Sequence, residues 1–281
     1  MKKISWFICL LLLCGSLPAQ TVEDLKQELQ KFQECFEELS MPQAHNKEYV
    51  LSNGKQVSLL EQNDFKRAAF VSVDALLERV KAWKESPFAA VSLERKTLMD
   101  GQDLSNWEIN GIRDISNEYF NQGDDAFHIA AHGLVDQSDL SSQGIKMGGQ
   151  TLNAEEAAEL IILSMNGYHN MLNIERKPFT VVLHCCSSGK GEDNFASRLS
   201  VALAKQIENV AVVAAPDIVY CAMDDKGKYT EYVTSDAAIK RKNVTDEKQN
   251  WRVFKSGTSY MEGTVDYKTT VQKYADHEKS K

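Results

Sequence analysis

The chain has no C-x-x-C pair and only one long apolar run. Its 32 Lys and Arg are outnumbered by 40 Asp and Glu, for a formal charge of −8. Each shortage excludes something. Without C-x-x-C spacing there is no basis for a structural zinc knuckle. Six cysteines scattered over 281 residues do not make a disulfide scaffold. Cys9 and Cys14 fall in the N-terminal apolar run, which leaves Cys35, Cys185, Cys186 and Cys221, and the spacing neither pairs nor separates Cys35 and Cys221. The acidity argues against a nucleic-acid backbone or an anionic membrane as main partner. No internal repeat is present.

The apolar run reads as a targeting segment. Lys2 and Lys3 precede Ile4 to Leu13, which is shorter than the roughly 20 residues a bilayer span needs. Ser16, Leu17, Pro18 and Ala19 follow as a cleavage region, so residues 1–19 are expected to be a bacterial signal peptide cut after Ala19. The mature protein is then expected to be exported, periplasmic or secreted, with no membrane span. Cys14 raises a lipoprotein alternative, but Leu13 stands where a small residue is expected. Loss of Lys2 and Lys3 would make the mature chain still more acidic. The remaining roughly 260 residues suit one large domain, alone or with appendages, and a hydrophobic content of 43% supports a full core.

Residues 20–125 form a helical and hairpin region, either part of the same domain or a pro-segment. Leu25, Leu29, Phe32 and Phe36 recur at helical steps within Val22 to Leu39. Glu48 to Leu51 and Lys55 to Leu60 flank Ser52-Asn53-Gly54, a hairpin signal. Asp74 to Trp83 reads as a helix, and Ser105 to Ile115 as either a short strand or a helix. From Ala126 the pattern is strand–helix–strand–helix–strand. A strand ends at His132 and a polar loop spans Asp136 to Gly149. Next come a helix over Asn153 to Met165 opened by an Asn153/Glu156 capping box, a strand over Thr180 to Cys185, a helix over Asp193 to Gln206, and a strand over Val210 to Ala215. Right-handed crossovers make the three strands a parallel unit. A hairpin over Ile218 to Met223 and Lys228 to Val233 and a short strand at Trp251 to Phe254 complete a core of residues 126–260, and a polar tail occupies residues 261–281.

Two segments in that core end alike. Ala126 to Gly133 and Phe179 to Gly189 are each a short apolar run closing at a glycine-marked turn, one delivering His132 and the other Cys186. In open parallel sheets chemistry sits beyond the carboxyl ends of the strands, and a His and a Cys brought there suffice for thiol nucleophilic catalysis. His132 alone reads equally as a histidine bonded under a loop, and His128, four residues earlier, as structural. A lone strand cysteine is normally core, but Cys186 is the last apolar residue before Ser187-Ser188-Gly189, where turn amides lower a thiol pKa and hold an oxyanion. Cys185 must face the other side of the sheet, and His184 shares the face of Cys186 but lies deeper.

The ordered pair Ala130-Ala131-His132-Gly133 and Cys185-Cys186-Ser187-Ser188-Gly189, with Phe195-Ala196 and Ala215-Pro216-Asp217 after it, resembles the caspase-like cysteine peptidases, and most closely the toxin-associated, clostripain-like and gingipain-like bacterial members. The resemblance covers roughly Ala126 to Val233. It departs at Cys185, where the family has alanine or another small residue. It implies an α/β three-layer sandwich with a mainly parallel central sheet. It implies that Cys186 attacks the scissile carbonyl, that His132 protonates the leaving amine, and that the amides of Gly133 and Cys186 form the oxyanion hole. Asp217 would sit in the S1 pocket and attract Arg or Lys at P1; it reads equally as a turn carboxylate after proline.

The expectation is therefore an exported cysteine endopeptidase acting on protein or peptide substrates, without cofactor or metal. A catalytically inactive binding or toxin-associated module of the same fold is the alternative. A metal hydrolase using His128, His132, His184 and Cys186 ranks lower, because His128 and His132 on one strand would lie roughly 13 Å apart. The basic cluster Lys240, Arg241 and Lys242 reads as a solvated loop, although some toxin peptidase domains are switched on by an anionic ligand.

Overall fold

The computed structural model describes residues 44–66, 92–121, 126–135, 142–165, 179–242 and 244–281. The expected signal peptide, Cys35 and the helices over 22–39 and 74–83 lie outside these residues. The segments Pro42–Ala69 and Ser92–Lys281 belong to one compact unit.

The hairpin around Asn53-Gly54 forms as expected. Strand β1 (Ala44–Val50) pairs antiparallel with β2 (Gln56–Lys66), and Gly54 takes φ +84°, a conformation glycine adopts without a Cβ penalty. β2 then pairs antiparallel with β3 (Ser92–Met99). β3 was not anticipated: Glu94, Arg95 and Lys96 make its sequence look solvent-exposed. Arg95 and Lys96 are nonetheless buried. The Lys96 ammonium donates to Glu61 Oε1 at 3.0 Å and to the Ser164 carbonyl at 2.7 Å, while Tyr49 donates to the other Glu61 oxygen. Burial alone would raise the Glu61 carboxyl; the Lys96 charge and the hydrogen bonds from Tyr49 and Asn63 bring it below its ordinary value.

Helix α1 (Asn106–Asn121) follows. It resolves the strand-or-helix ambiguity at Ser105 to Ile115: Ser105 Oγ accepts from the Glu108 amide at 3.3 Å, and Glu108 Oε2 accepts from the Ser105 amide at 2.8 Å, a capping box. Strand β4 (Phe127–Ala130) runs parallel to β3. The strand expected to end at His132 instead ends at Ala130, where the chain leaves the large sheet. His132 opens a separate strand, β5 (His132–Val135), which pairs with β6 (Ser142–Met147), itself paired with β7 (Gln150–Leu152). The expected polar loop over Asp136 to Gly149 is thus corrected in part. Gly144 and Gly148 hide a strand whose Ile145 and Met147 are fully buried while Lys146 is not, the period-two signature of a half-buried strand.

Helix α2 (Ala154–Met165) starts at the predicted capping box, with Glu156 N donating to Asn153 Oδ1 at 2.9 Å and Asn153 N to Glu156 Oε2 at 3.0 Å. Strand β8 (Phe179–His184), helix α3 (Phe195–Ala204) and strand β9 (Val210–Ala214) complete the expected parallel unit, with β4, β8 and β9 adjacent and parallel. A two-stranded sheet of β10 (Ile218–Met223) and β11 (Tyr229–Thr234) stands apart. Short helix α4 (Asp236–Lys240), strands β12 (Arg252–Lys255) and β13 (Thr258–Glu262), and helix α5 (Tyr267–Lys279) end the chain. The basic cluster is exposed, with Lys240 paired to Asp236 and Arg241 to Glu247.

Among the described residues the large sheet has eight strands in the order β1-β2-β3-β4-β8-β9-β12-β13. It is mixed. The four central strands, β3 to β9, are parallel, and antiparallel hairpins flank them on both sides. The expected mainly parallel sheet is therefore corrected to a parallel centre with antiparallel wings; the fold class is α/β. Alternation along the strands feeds both faces. Phe127, Ile129, Val181, Leu183 and Cys185 pack with α2 and α3, whereas Val182, Ala211 and Val213 pack with Trp251 and with Tyr267 and Tyr274 of α5.

Candidate active site

The two singled-out turns meet at the carboxyl ends of β4 and β8. Ala130 and His184 pair directly, and the Ala131 amide donates to the His184 carbonyl at 3.4 Å. Contact continues one step further. A methyl group built on Gly133 would overlap the Cys186 carbonyl oxygen and stand 3.1 Å from its carbonyl carbon and 3.4 Å from its nitrogen. Glycine is required there because the backbone of one turn lies against the backbone of the other.

His132 and Cys186 line one cleft of about 310 Å³ with Leu104, Glu108, His184 and Glu231 among its other walls. His132 Nε2 lies 3.3 Å from the Asp103 carbonyl oxygen. A carbonyl only accepts, so Nε2 carries the proton and a neutral ring keeps its lone pair on Nδ1. Asp103 is itself fixed: its carboxylate pairs with Lys146 at 3.0 Å, and its amide donates to Asp100 Oδ1 at 3.4 Å. Asp100 Oδ1 also accepts from Gln102 N and Gly148 N, each at 3.1 Å, which joins the loop after β3 to the turn after β6.

The cysteine turn is held from the neighbouring strand. The Ser187 amide donates to the Asp217 carbonyl at 2.7 Å and the Gly189 amide to the Ala215 carbonyl at 2.8 Å. Ser187 adopts φ 55°, in the left-handed region that costs a non-glycine residue free energy. This sharp bend follows Cys186 directly, leaving its thiol at the strand tip with the Val219 carbonyl 4.0 Å from Sγ.

Cys185 and Cys186 face opposite sides of the sheet. Cys185 is fully buried in the core beneath α2 and α3, with its Sγ 3.9 Å from the Ile129 carbonyl, and burial pushes its thiol far up. Cys186 is only partly buried and borders the cleft. The expected lowering of its thiol by turn amides is present but outweighed. Burial raises it, hydrogen bonds involving the Val219 carbonyl and its own backbone amide offset only part of that rise, and the carboxylates of Glu231 and Glu108 add to it. Replacing Glu231 with Gln removes one of these charges. Site-resolved alkylation of Cys186 followed against pH should then show a lower midpoint than wild type, with faster reaction at neutral pH; an unmoved midpoint would mean that Glu231 does not act on this thiol.

His128, read as structural, lies fully buried with its Nδ1 2.9 Å from His184 Nε2. His184 Nδ1 lies 2.9 Å from both Glu231 oxygens. The chain Glu231–His184–His128 crosses from β11 through β8 to β4, with Tyr267 packed edge-on to both imidazoles. Among the described residues no group of three or more His, Cys, Asp or Glu side chains is arranged to hold a metal ion.

Asp217 is not brought into the cleft with Cys186. Its Oδ1 accepts from the Ile218 amide and its Oδ2 from Gln249 Nε2, each at 3.1 Å, and its backbone carbonyl supports the cysteine turn. Sequence reasoning missed Glu108, Cys221 and Glu231, all of which border the cleft. Cys221 is a free thiol pushed up to about 12, first by burial and then by Glu231 and Glu108. Alternation in β10 and β11 was legible, but nothing in it told which face of that hairpin would close over the strand tips. Comparison of the chain with protein-family models, with curated proteins and with solved structures finds no match.

Proposed function

We propose that the chain is an exported cysteine endopeptidase with a caspase-like core, using His132 and Cys186 as a dyad. The observation that carries this reading is the placement of an imidazole and a half-buried thiol at the carboxyl ends of adjacent parallel strands, in one cleft, with the glycine after the histidine seated on the backbone of the cysteine. Parallel centre and helices on both faces support the three-layer arrangement that the reading implies.

The chemistry follows from the protonation states. The Cys186 thiol is protonated at rest, so its proton leaves as attack on the scissile carbonyl begins, with His132 Nδ1 as acceptor. The oxyanion that forms faces the amides of Gly133 and Cys186. His132 then returns the proton to the departing amine, leaving a thioester on Cys186, and a water molecule deprotonated by His132 hydrolyses it. The Asp103 carbonyl holds the ring in the tautomer this requires.

The raised thiol favours a second reading, a cleft that binds a partner without turning it over. A cysteine-directed peptidyl electrophile separates the two. Stoichiometric labelling of Cys186, together with cleavage of a peptide library, supports the peptidase; a Cys186 no more reactive than a free thiol, with no cleavage, supports the binding module. The export part of the proposal has its own measurement. Intact-mass analysis of protein recovered from the cell envelope should show a chain starting at Gln20. A mass retaining Met1 to Ala19 overturns it, and a lipid adduct on Cys14 would place the protein among the lipoproteins instead.

A further inference from the structure

Three buried titratable side chains beside the cleft take no part in the dyad. The side chains of Glu231 and His184 are 5% and 3% exposed, and His128 is fully buried. Both Glu231 oxygens lie 2.9 Å from His184 Nδ1, and His184 Nε2 lies 2.9 Å from His128 Nδ1. Glu231 and His184 also line the cleft with Cys186.

The hydrogens of this chain can be counted. A carboxylate only accepts, so His184 Nδ1 carries a proton. Two ring nitrogens 2.9 Å apart need one hydrogen between them. None would set lone pair against lone pair, and two would clash. With Glu231 ionised, the unit therefore has two states. In one, both rings are neutral and the carboxylate charge is uncompensated. In the other, one added proton, entering at His128 Nε2, is shared by the two rings and the unit is neutral overall. A further proton would force two hydrogens into the same gap.

Both states reach the thiol. The charge of Glu231 helps to hold Cys186 protonated, and a thiolate beside that uncompensated charge is costly where the dielectric is low. The added proton removes the conflict. The coupling is mutual: the protonated unit favours the thiolate, and the thiolate favours the protonated unit. Other groups surround the unit. Tyr267 of α5 stands edge-on to both rings, and Trp251 to His184. β3 brings Thr97 beside His128, with Arg95 buried two residues earlier; an arginine stays charged and adds no step. α1 contributes Glu108 and Asp114, whose charges reach Cys221 across from Glu231. His132 shares the cleft.

We propose that Glu231, His184 and His128 act as one unit that takes up a single proton as the Cys186 thiol releases one, so that the thiolate forms with no change in the net charge of the cleft. The exchange passes through water and needs no contact between sulfur and imidazole. It rests on the peptidase reading for the nucleophilic role of Cys186, but its test needs no turnover. Site-resolved alkylation of Cys186 by iodoacetamide is followed against pH in full-length His132→Gln protein, where the dyad imidazole adds no step. A lone thiol loses about tenfold in rate per pH unit below its pKa. Here the rate should level off, changing less than about threefold over roughly one pH unit, before it falls again. The plateau should remain when Glu108→Gln is added and vanish when His184→Gln is added. A slope that never levels overturns the inference, as does a plateau that survives His184→Gln or is lost in Glu108→Gln. Imidazole 15N resonances of the unsubstituted chain carry the test if His184→Gln does not fold. Those of His184 and His128 should move together through one step; two separate steps, or none, overturn the unit. Peptide cleavage by wild type against Cys186→Ala is scored separately. Its absence would sink the dyad while leaving the proton exchange to stand or fall on the alkylation and the resonances.

Discussion

Cys186→Ala is expected to abolish peptide hydrolysis while leaving the fold intact, and Cys185→Ala to keep hydrolysis at a modest cost in stability. Loss of the attacking atom should lower kcat by on the order of 10³-fold or more. His132→Ala should match it, and the double substitution should be no worse than either alone, because partners in one catalytic unit are not additive. Cys185 points into the opposite core. Its truncation should cost about 1 kcal/mol of stability and keep catalysis. Steady-state kinetics on a cleaved library peptide, with thermal unfolding alongside, decide it. An inactive Cys185→Ala beside an active Cys186→Ala would mean the nucleophile is misassigned. Retained activity in both, lost on chelation, would end the thiol mechanism altogether.

Gly133→Ala is the second substitution with a large expected effect, although it removes no functional group. The new methyl would collide with the Cys186 carbonyl oxygen. Backbone on the far side cannot rotate away as a side-chain end does. The two turns must separate, at a cost of roughly 1–3 kcal/mol or more for overpacking, and the separation falls between His132 and Cys186. The expected outcome is a folded protein of lowered Tm with kcat reduced out of proportion to its stability. The control is Gly191→Ala, at a glycine with φ +77° and open space around it. That variant should lose a modest amount of stability from dihedral strain alone and keep its kcat. Full activity in Gly133→Ala would show that the close approach of the two turns is not needed for the chemistry.

Elements whose residues announce their surroundings were legible without coordinates. The Asn153/Glu156 box, the largely apolar runs of β4, β8 and β9, and the Asn-Gly and Asp-Lys-Gly hairpins each follow from local chemistry. What stayed hidden depended on partners distant in sequence. β3 looked solvent-exposed because Lys96 acquires its reason to be buried only from Glu61 and the Ser164 carbonyl. The tail looked polar because its three buried side chains, Tyr267, Thr270 and Tyr274, are spaced among half-buried or exposed lysines and other polar residues. In the site, His132 and Cys186 could be named from the ends of apolar runs. The carboxylates around them could not, since Glu231 reaches the cleft through the pairing of a separate hairpin. Nor could the thiol's raised pKa, which depends on burial and on charges from α1 and β11.

The arrangement of the large sheet has a bearing on the order of assembly. Its wings, β1 with β2 and β12 with β13, join strands that are neighbours in the chain, and hairpins of that kind close in about 1–10 μs. The central contacts of β4 with β8 join segments separated by a three-stranded sheet and a helix, so closure entropy must be met before any packing rewards it. Imidazole and thiol therefore come together only when the slow, non-local step is complete. A nascent or partly unfolded chain keeps them apart, so any chemistry that needs both groups waits for the completed fold.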